Sequence, residues 1–349
     1  YWNTVDALSV QNYELVMGPS SVLYGSDAVG GVLNARPVEP PSENEPEWER
    51  QLYYRGATAD RSTAARTQVR GRLNEQLGLV AGYSYKDFGD LRGGRDVGKQ
   101  EHTGYDEQDY DARLDYRVEN HRLTLGHQAV DQNDAWRTHK TLYGIDWKGL
   151  TVGDDRVHVF DQDRRLTYLR YRGEEWNDWA DYVECTVSYQ GQAEDLDRIK
   201  KDGASVQQGF DVGTWGATAQ LMSDSSVGDW VYGLDYSRDL VDSYSRTYLP
   251  DGSLKKIERQ GPVADDAWYD MMGLYVEDNV RLLDGQLDVI PGVRYTLARA
   301  DANQVTDPVS GDGVTLHEDW DAVAGSLRLL HPLTVDRAHI LYGGVSQGF

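Results

Sequence analysis

Residues 272–297 read MGLYVEDNVRLLDGQLDVIPGVRYTL, and their period decides the fold class. Leu274, Val276, Val280 and Leu282 run into Leu283-Asp284-Gly285, and Leu287, Val289, Val293, Tyr295 and Leu297 run out again. A period of two is that of a strand with one apolar face, and Asp-Gly between two such runs predicts a tight hairpin turn. Working outward, 109–118 sets Tyr110, Ala112, Leu114, Tyr116 and Val118 on one parity against Asp109, Asp111, Arg113, Asp115 and Arg117 on the other. Val183, Cys185, Val187 and Tyr189 oppose Glu184, Thr186, Ser188 and Gln190 in the same way. Trp215, Ala217, Ala219 and Leu221 oppose Thr214, Gly216, Thr218 and Gln220. Helical spacing is scarce, so the chain reads as all-β.

Composition narrows the setting. With 35 Lys+Arg against 58 Asp+Glu the net charge is −23, which excludes electrostatic nucleic-acid binding, since phosphates need a basic surface. No apolar run approaches the roughly 18 residues of a membrane helix. The single cysteine, Cys185, offers neither a disulfide nor a thiolate metal cage. Against four Phe stand 23 Tyr and 10 Trp, rings with a polar tip suited to a membrane interface or a wet ligand surface. Short connectors near 73–77, 119–122, 173–181, 223–229, 283–285 and 330–338 alternate with long ones at 87–107, 131–163, 191–208, 240–267 and 300–317; a short outer link at 58–64 is the exception. That rhythm predicts an antiparallel transmembrane β-barrel wall of about thirteen strands, each of about 9–11 residues, apolar outside and charged inside. A soluble sandwich, propeller or lectin with one wet face is the alternative, although no repeat of fixed period supports a propeller.

Residues 36–46, RPVEPPSENEP, hold four of the ten prolines and mark a boundary. The expected division is 1–40 and 41–349. Within the first part, residues 14–34 read ELVMGPSSVLYGSDAVGGVLN. In order, Glu14, Gly18, Pro19, Ser20, Tyr24, Gly25, Ala28, Gly30, Gly31 and Asn34 closely resemble the motif that ends the plug domain of TonB-dependent outer-membrane receptors. Met17 stands where most relatives carry a base, which questions one plug-to-barrel ion pair, and Leu33 replaces the usual Ile or Val. Residues 341–349, LYGGVSQGF, resemble a barrel strand of siderophore and haem receptors. A phosphate-cradling loop is a poor alternative, because no Lys-Ser/Thr pair follows the glycines.

The resemblance implies a fold and a function. Residues 1–40 would be the C-terminal part of the plug and 41–349 the N-terminal part of a barrel of about 22 strands. The chain is then expected to be a piece of a longer receptor, without the signal peptide and TonB box. The implied activity is import across the outer membrane, with TonB pulling on the plug. A ferric siderophore is the expected ligand; haem, cobalamin or an oligosaccharide are variants. TonB, the ligand and outer-membrane lipid are the expected partners. A non-transporting surface receptor or adhesin, and a soluble carbohydrate-binding protein, are the rivals. No cofactor is expected, and no arrangement of nucleophile, base and orienting group suggests an enzyme.

For ligand contact, Trp136, Arg137, His139, Lys140, Tyr143 and Trp147 crowd one outer loop with Lys148, and aromatics with cations suit an anionic, ring-bearing chelate. A loop whose aromatics pack on one another is the plainer reading. Eight histidines, at 102, 121, 127, 139, 158, 317, 331 and 339, show no metal-ligand spacing; His102 and His139 fall in outer loops, where an imidazole suits haem iron. Asp154, Asp155, Asp161 and Asp163 lack the spacing of a calcium loop. Asp111, Arg113, Asp115 and Arg117 are expected to form cross-strand ion pairs inside the wall.

Overall fold

A computed structural model describes residues 2–26, 28–42, 44–94, 97–146, 148–177, 179–334 and 336–348, with Trp2 described by its backbone alone. After a 3-10 turn (Trp2–Thr4), β1 (Val10–Met17) and β2 (Gly31–Pro37) pair antiparallel around one helical turn, α1 (Ser21–Tyr24). Everything beyond is one antiparallel sheet of fourteen strands. Its first strands are β3 (Trp48–Gly56), β4 (Thr63–Arg72), β5 (Leu77–Phe88), β6 (Tyr105–Val118) and β7 (His121–Trp136). Then follow β8 (Val157–Asn177), β9 (Ala180–Ile199), β10 (Ser205–Asp224) and β11 (Asp229–Tyr248). The short β12 (Leu254–Ile257) pairs only with the end of β11. The path closes with β13 (Asp265–Leu282), β14 (Leu287–Thr306), β15 (Gly313–Pro332) and β16 (Ile340–Ser346). Each strand pairs with the next in sequence, β12 aside, and the sheet is open, with β3 and β16 at its edges.

Burial runs opposite to that of a soluble protein. On β6 the apolar Leu114 and Tyr116 are 38% and 48% exposed, whereas Asp109 and Asp115 are 1% and 0% exposed. One register row carries Leu79, Leu114, Leu125, Leu169, Val187 and Ala217 side by side across six strands without a charge. An apolar outer surface with ionic groups gathered on the inner one is the pattern of a wall between lipid and a polar lumen. Stacked layers burying those leucines, as a sandwich requires, are not what the chain forms.

The inner face is tied together by arginines that reach across a strand. Arg66 on β4 passes over Gly82 of β5 to meet Asp111 of β6 at 2.7 Å. Arg294 on β14 passes over Gly273 of β13 to hold Asp235 of β11 with two hydrogen bonds of 2.7 and 2.8 Å. A Cβ at Gly82 would lie 2.1 Å, and one at Gly273 1.8 Å, from the arginine crossing it. The expected cross-strand pairing is therefore present for Asp111 and for Asp115, which pairs with Arg122 of β7, while Arg113 also bonds Asp115 on its own strand at 3.0 Å.

Two local expectations need correction. Strands β8 to β11, β14 and β15 have 20 or 21 residues, not 9–11. At about 3.3 Å per residue they exceed the roughly 25 Å apolar band even when tilted, so their outer ends stand in water. The links expected to be long at 191–208 and 300–317 shrink to 200–204 and 307–312. In water both faces of a strand can be polar while the backbone ladder persists, so 191–199 has no apolar parity to reveal it. Long connections remain at 89–104, 137–156 and 249–264, the last containing β12. The Asp-Gly turn is also wider than read: Leu282 pairs with Leu287, leaving four residues between, with Leu283, Asp284 and Gly285 all left-handed.

Candidate functional site

The N-terminal segment sits on the polar face of the sheet. Glu14 and Asn34 are register partners on β1 and β2, and the Asn34 amide donates to the Glu14 carboxylate at 2.9 Å, joined by Arg36 at 2.9 Å. Gly18 N–H bonds Gly30 O at 3.1 Å and Ser20 N–H bonds Ala28 O at 2.8 Å, closing the loop that holds α1. Pro19 and Tyr24 border a small recess beside Glu277 and Arg328, and Gly31 pairs with Met17. The motif residues are thus brought together, most of them by bonds within the segment.

Attachment to the wall falls to other side chains. Helix α1 lies against β13, β14 and β15. Gly25, at φ +85°, would place a Cβ 3.3 Å from the fully buried Arg294, so both backbone conformation and space call for glycine there. Asp6 is 5% exposed and accepts from Ser84 Oγ at 2.7 Å, from Lys86 Nζ at 2.8 Å and from Arg66 at 3.3 Å. Lys86 also meets Asp109 at 2.8 Å and Glu107. Glu39, in the proline-rich linker, accepts from Arg113 at 3.2 Å and Arg122 at 3.1 Å. Met17 is 80% exposed, so the docking contact that a base there would supply is carried elsewhere. Asp6, Glu39, Arg66, Lys86, Asp235 and Arg294 were not singled out from the sequence. Arg66, Lys86, Asp235 and Arg294 showed only a charge at an inward parity, shared by many residues, and Asp6 and Glu39 lie outside the strands, where no parity marks them.

Burial pushes the Glu39 carboxyl upward, but the Arg113 and Arg122 guanidiniums outweigh it and hold the group below the usual carboxylate range. A depressed folded-state pKa gives stability that is present above the unfolded pKa and lost as pH falls through the folded one. The linker contact should therefore loosen on acidification below about pH 4, the ordinary carboxylate range. Limited proteolysis of residues 38–47 across an acid titration measures this. Glu39→Gln should flatten the acid-dependent rise in cleavage, and an unchanged pH profile in that variant would remove Glu39 from the account.

At the far end, two long connections meet. His102 stacks on Trp136 with ring centroids 4.2 Å apart and lies 4.4 Å from Tyr143, while the Trp136 and Tyr143 rings meet edge-on at 6.4 Å. Arg137 lies over Phe160 at 5.0 Å. His139 and Lys140 are exposed, and Trp147 lies outside the described residues. Partial desolvation, followed by the charges of Lys140 and Arg137, holds the His139 pKa below its usual value and so favours the neutral imidazole. Asp155 bonds His158 at 3.0 Å and Arg198 at 2.8 Å, and Asp161 caps Asp134 N–H, so these carboxylates serve the loop itself.

An antiparallel wall, apolar on one face and ion-paired on the other, with a hairpin segment seated on the ion-paired face, is the architecture of part of a β-barrel wall. Residues 47–349 match the family described as TonB dependent receptor-like, beta-barrel, and the chain belongs to that family. It is 31% identical over 368 aligned residues to the hemin receptor of Yersinia enterocolitica, covering 99% of this chain and 46% of that protein. A second hemin receptor, from Yersinia pestis, is 30% identical over 90 residues, 25% of this chain and 13% of the relative. Among solved structures, the copper transporter OprC superposes with a TM-score of 0.76 at 16% identity, covering 99% of this chain and 51% of that one. The ferric yersiniabactin uptake receptor FyuA from Yersinia pestis gives 0.72 at 16% identity, covering 97% and 52%. At such identities the structures speak for the fold alone. The chain spans about half the length of the relatives it matches.

Proposed function

We propose that the chain is part of a TonB-dependent outer-membrane receptor that imports an iron chelate. Residues 1–40 are then the C-terminal part of its plug and 41–349 the first part of its barrel wall. The observation that carries this reading is the Gly18 to Asn34 segment seated on the polar inner face, held by Asp6 and Glu39 and fitted through Gly25. A wide barrel leaves a channel, and a segment so placed stoppers it. The buried charges at the contact make it separable: they are expensive to desolvate, and each regains its hydration when the segment is pulled away.

The relative aligned along 99% of this chain is a hemin receptor, which supports haem, beside the siderophores, as the first ligand to test. The outer cluster suits a flat, anionic macrocycle. His102, Trp136 and Tyr143 offer stacked faces, Arg137 and Lys140 offer cations, and His139 keeps an imidazole in the neutral form that binds iron. Replacing Trp136 and Arg137 together by Ala in the complete receptor should weaken ligand binding roughly tenfold, a loss of about 1.4 kcal/mol. Unchanged affinity would dismiss the cluster as a ligand surface. Transport itself is tested by growth of a receptor-deleted strain on haem or single ferric siderophores, with and without TonB. Restoration by the complete gene only when TonB is present is the expected result; uptake indifferent to the gene for every iron source overturns the proposal.

A further inference from the structure

A cavity of about 460 Å³ separates the N-terminal hairpin from wall strands β6 to β9. Five arginines line it, Arg36, Arg113, Arg164, Arg170 and Arg172, against two glutamates, Glu39 and Glu184. In a chain whose acids outnumber its bases 58 to 35, that is a local reversal of sign. Four of the arginines already have carboxylate partners. Arg36 pairs with Glu14 at 2.9 Å, Arg113 with Glu39 and Asp115, and Arg170 and Arg172 share Glu184.

Arg164 is different. It is half-buried, its Nε–H donates to the Gln190 amide oxygen at 2.8 Å, and among the described residues no carboxylate comes within ion-pair distance of it. Its register neighbours are Val130 and Gln192, both uncharged, and Gln128 lines the same space. Withdrawing a guanidinium from water without a counter-charge costs several kcal/mol in a low-dielectric surround. The planar fork left free beyond Nε matches the two oxygens of a carboxylate or phosphate. The volume lies within the range of ligand sites, roughly 300–1,000 Å³.

We propose that this cavity is a binding site for a small oxyanion, held through Arg164 with the Gln128 and Gln190 amides beside it. The site lies between hairpin and wall, apart from the outer aromatic cluster. It deepens the transport reading by assigning an anionic group to what passes the hairpin, yet it is measured without transport. The probes are inorganic phosphate and tricarballylate, titrated calorimetrically into the complete receptor in detergent, with no TonB present. At least one should bind, with affinity falling as salt rises, and Arg164→Gln should weaken it at least tenfold. Arg164→Lys keeps the charge but loses the fork and should fall between. Which probe binds separates a carboxylate ligand from a phosphate one. Heat-modifiable migration on gels reports folding; should Arg164→Gln not fold, the weakening in Arg164→Lys decides. Binding of neither probe, or affinity unchanged in every folded variant, overturns the site. Those results leave the uptake assay untouched, just as absent uptake leaves the titration untouched.

Discussion

Leu169→Arg in the complete receptor should lower folding stability in lipid vesicles by about 2–4 kcal/mol, the cost of a cation on the lipid face of a barrel near the bilayer middle. Leu169 is 47% exposed and sits in the uncharged row between Leu125 and Val187. On a soluble sandwich, a half-exposed surface leucine replaced by arginine would shift stability by no more than about 0.5 kcal/mol. The size of the effect therefore separates the two folds that the periodicity alone allows. Thr186→Arg, which points to the inner face beside Glu184, should cost under half as much, about 1 kcal/mol, because the lumen is wet. Urea titrations of the two variants in phosphatidylcholine vesicles measure both. Equal costs at the two positions would contradict the assignment of faces.

Arg294→Met should be the most damaging change on the inner face. It removes the partner of Asp235 and the surface on which Gly25 rests, while keeping an unbranched apolar stem. Breaking a buried ion pair costs about 3–5 kcal/mol, and the partial exposure of Asp235 places the expected loss near the lower figure, about 3 kcal/mol. Loosening of the N-terminal segment should accompany it. Thermal unfolding reports the first and protease cleavage within residues 18–31 reports the second. Gly25→Val, which leaves the Arg294–Asp235 pair present, should raise cleavage with a smaller drop in melting temperature. If Arg294→Met melts like the parent protein, the arginine bridge across Gly273 is not a structural tie.

The faces of the wall were legible because lipid and lumen impose opposite demands on neighbouring residues, as in the alternation of Leu114 and Asp115. Parity puts each residue of the row from Leu79 to Ala217 on the apolar face, although only the structure aligns them side by side. The motif from Glu14 to Asn34 was legible because its glycines and its Glu14–Asn34 pair are local to one hairpin. Strand length was not, because beyond the lipid no face of Gly191 to Ile199 need be apolar. Nor were the docking partners. Asp6 finds Lys86 eighty residues on, and Arg294 finds Asp235 only because a glycine on the intervening strand leaves room. Pairings of that kind depend on register, and a single sequence does not display register.

The most direct measurement is accessibility along β8. Single cysteines at positions 164–171, introduced with Cys185 replaced by Ser and carrying spin labels, are exposed in bilayers to oxygen, which partitions into lipid, and to a water-soluble nickel chelate. Labels at 167, 169 and 171 should favour oxygen and those at 166, 168 and 170 the chelate. Position 165, whose arginine pairs with Asp131 and Asp163 on the outer face, and position 164 should both favour the chelate as the strand leaves the lipid. A flat profile, or the opposite phase, would contradict a wall that turns Leu169 to lipid and Arg170 to the lumen.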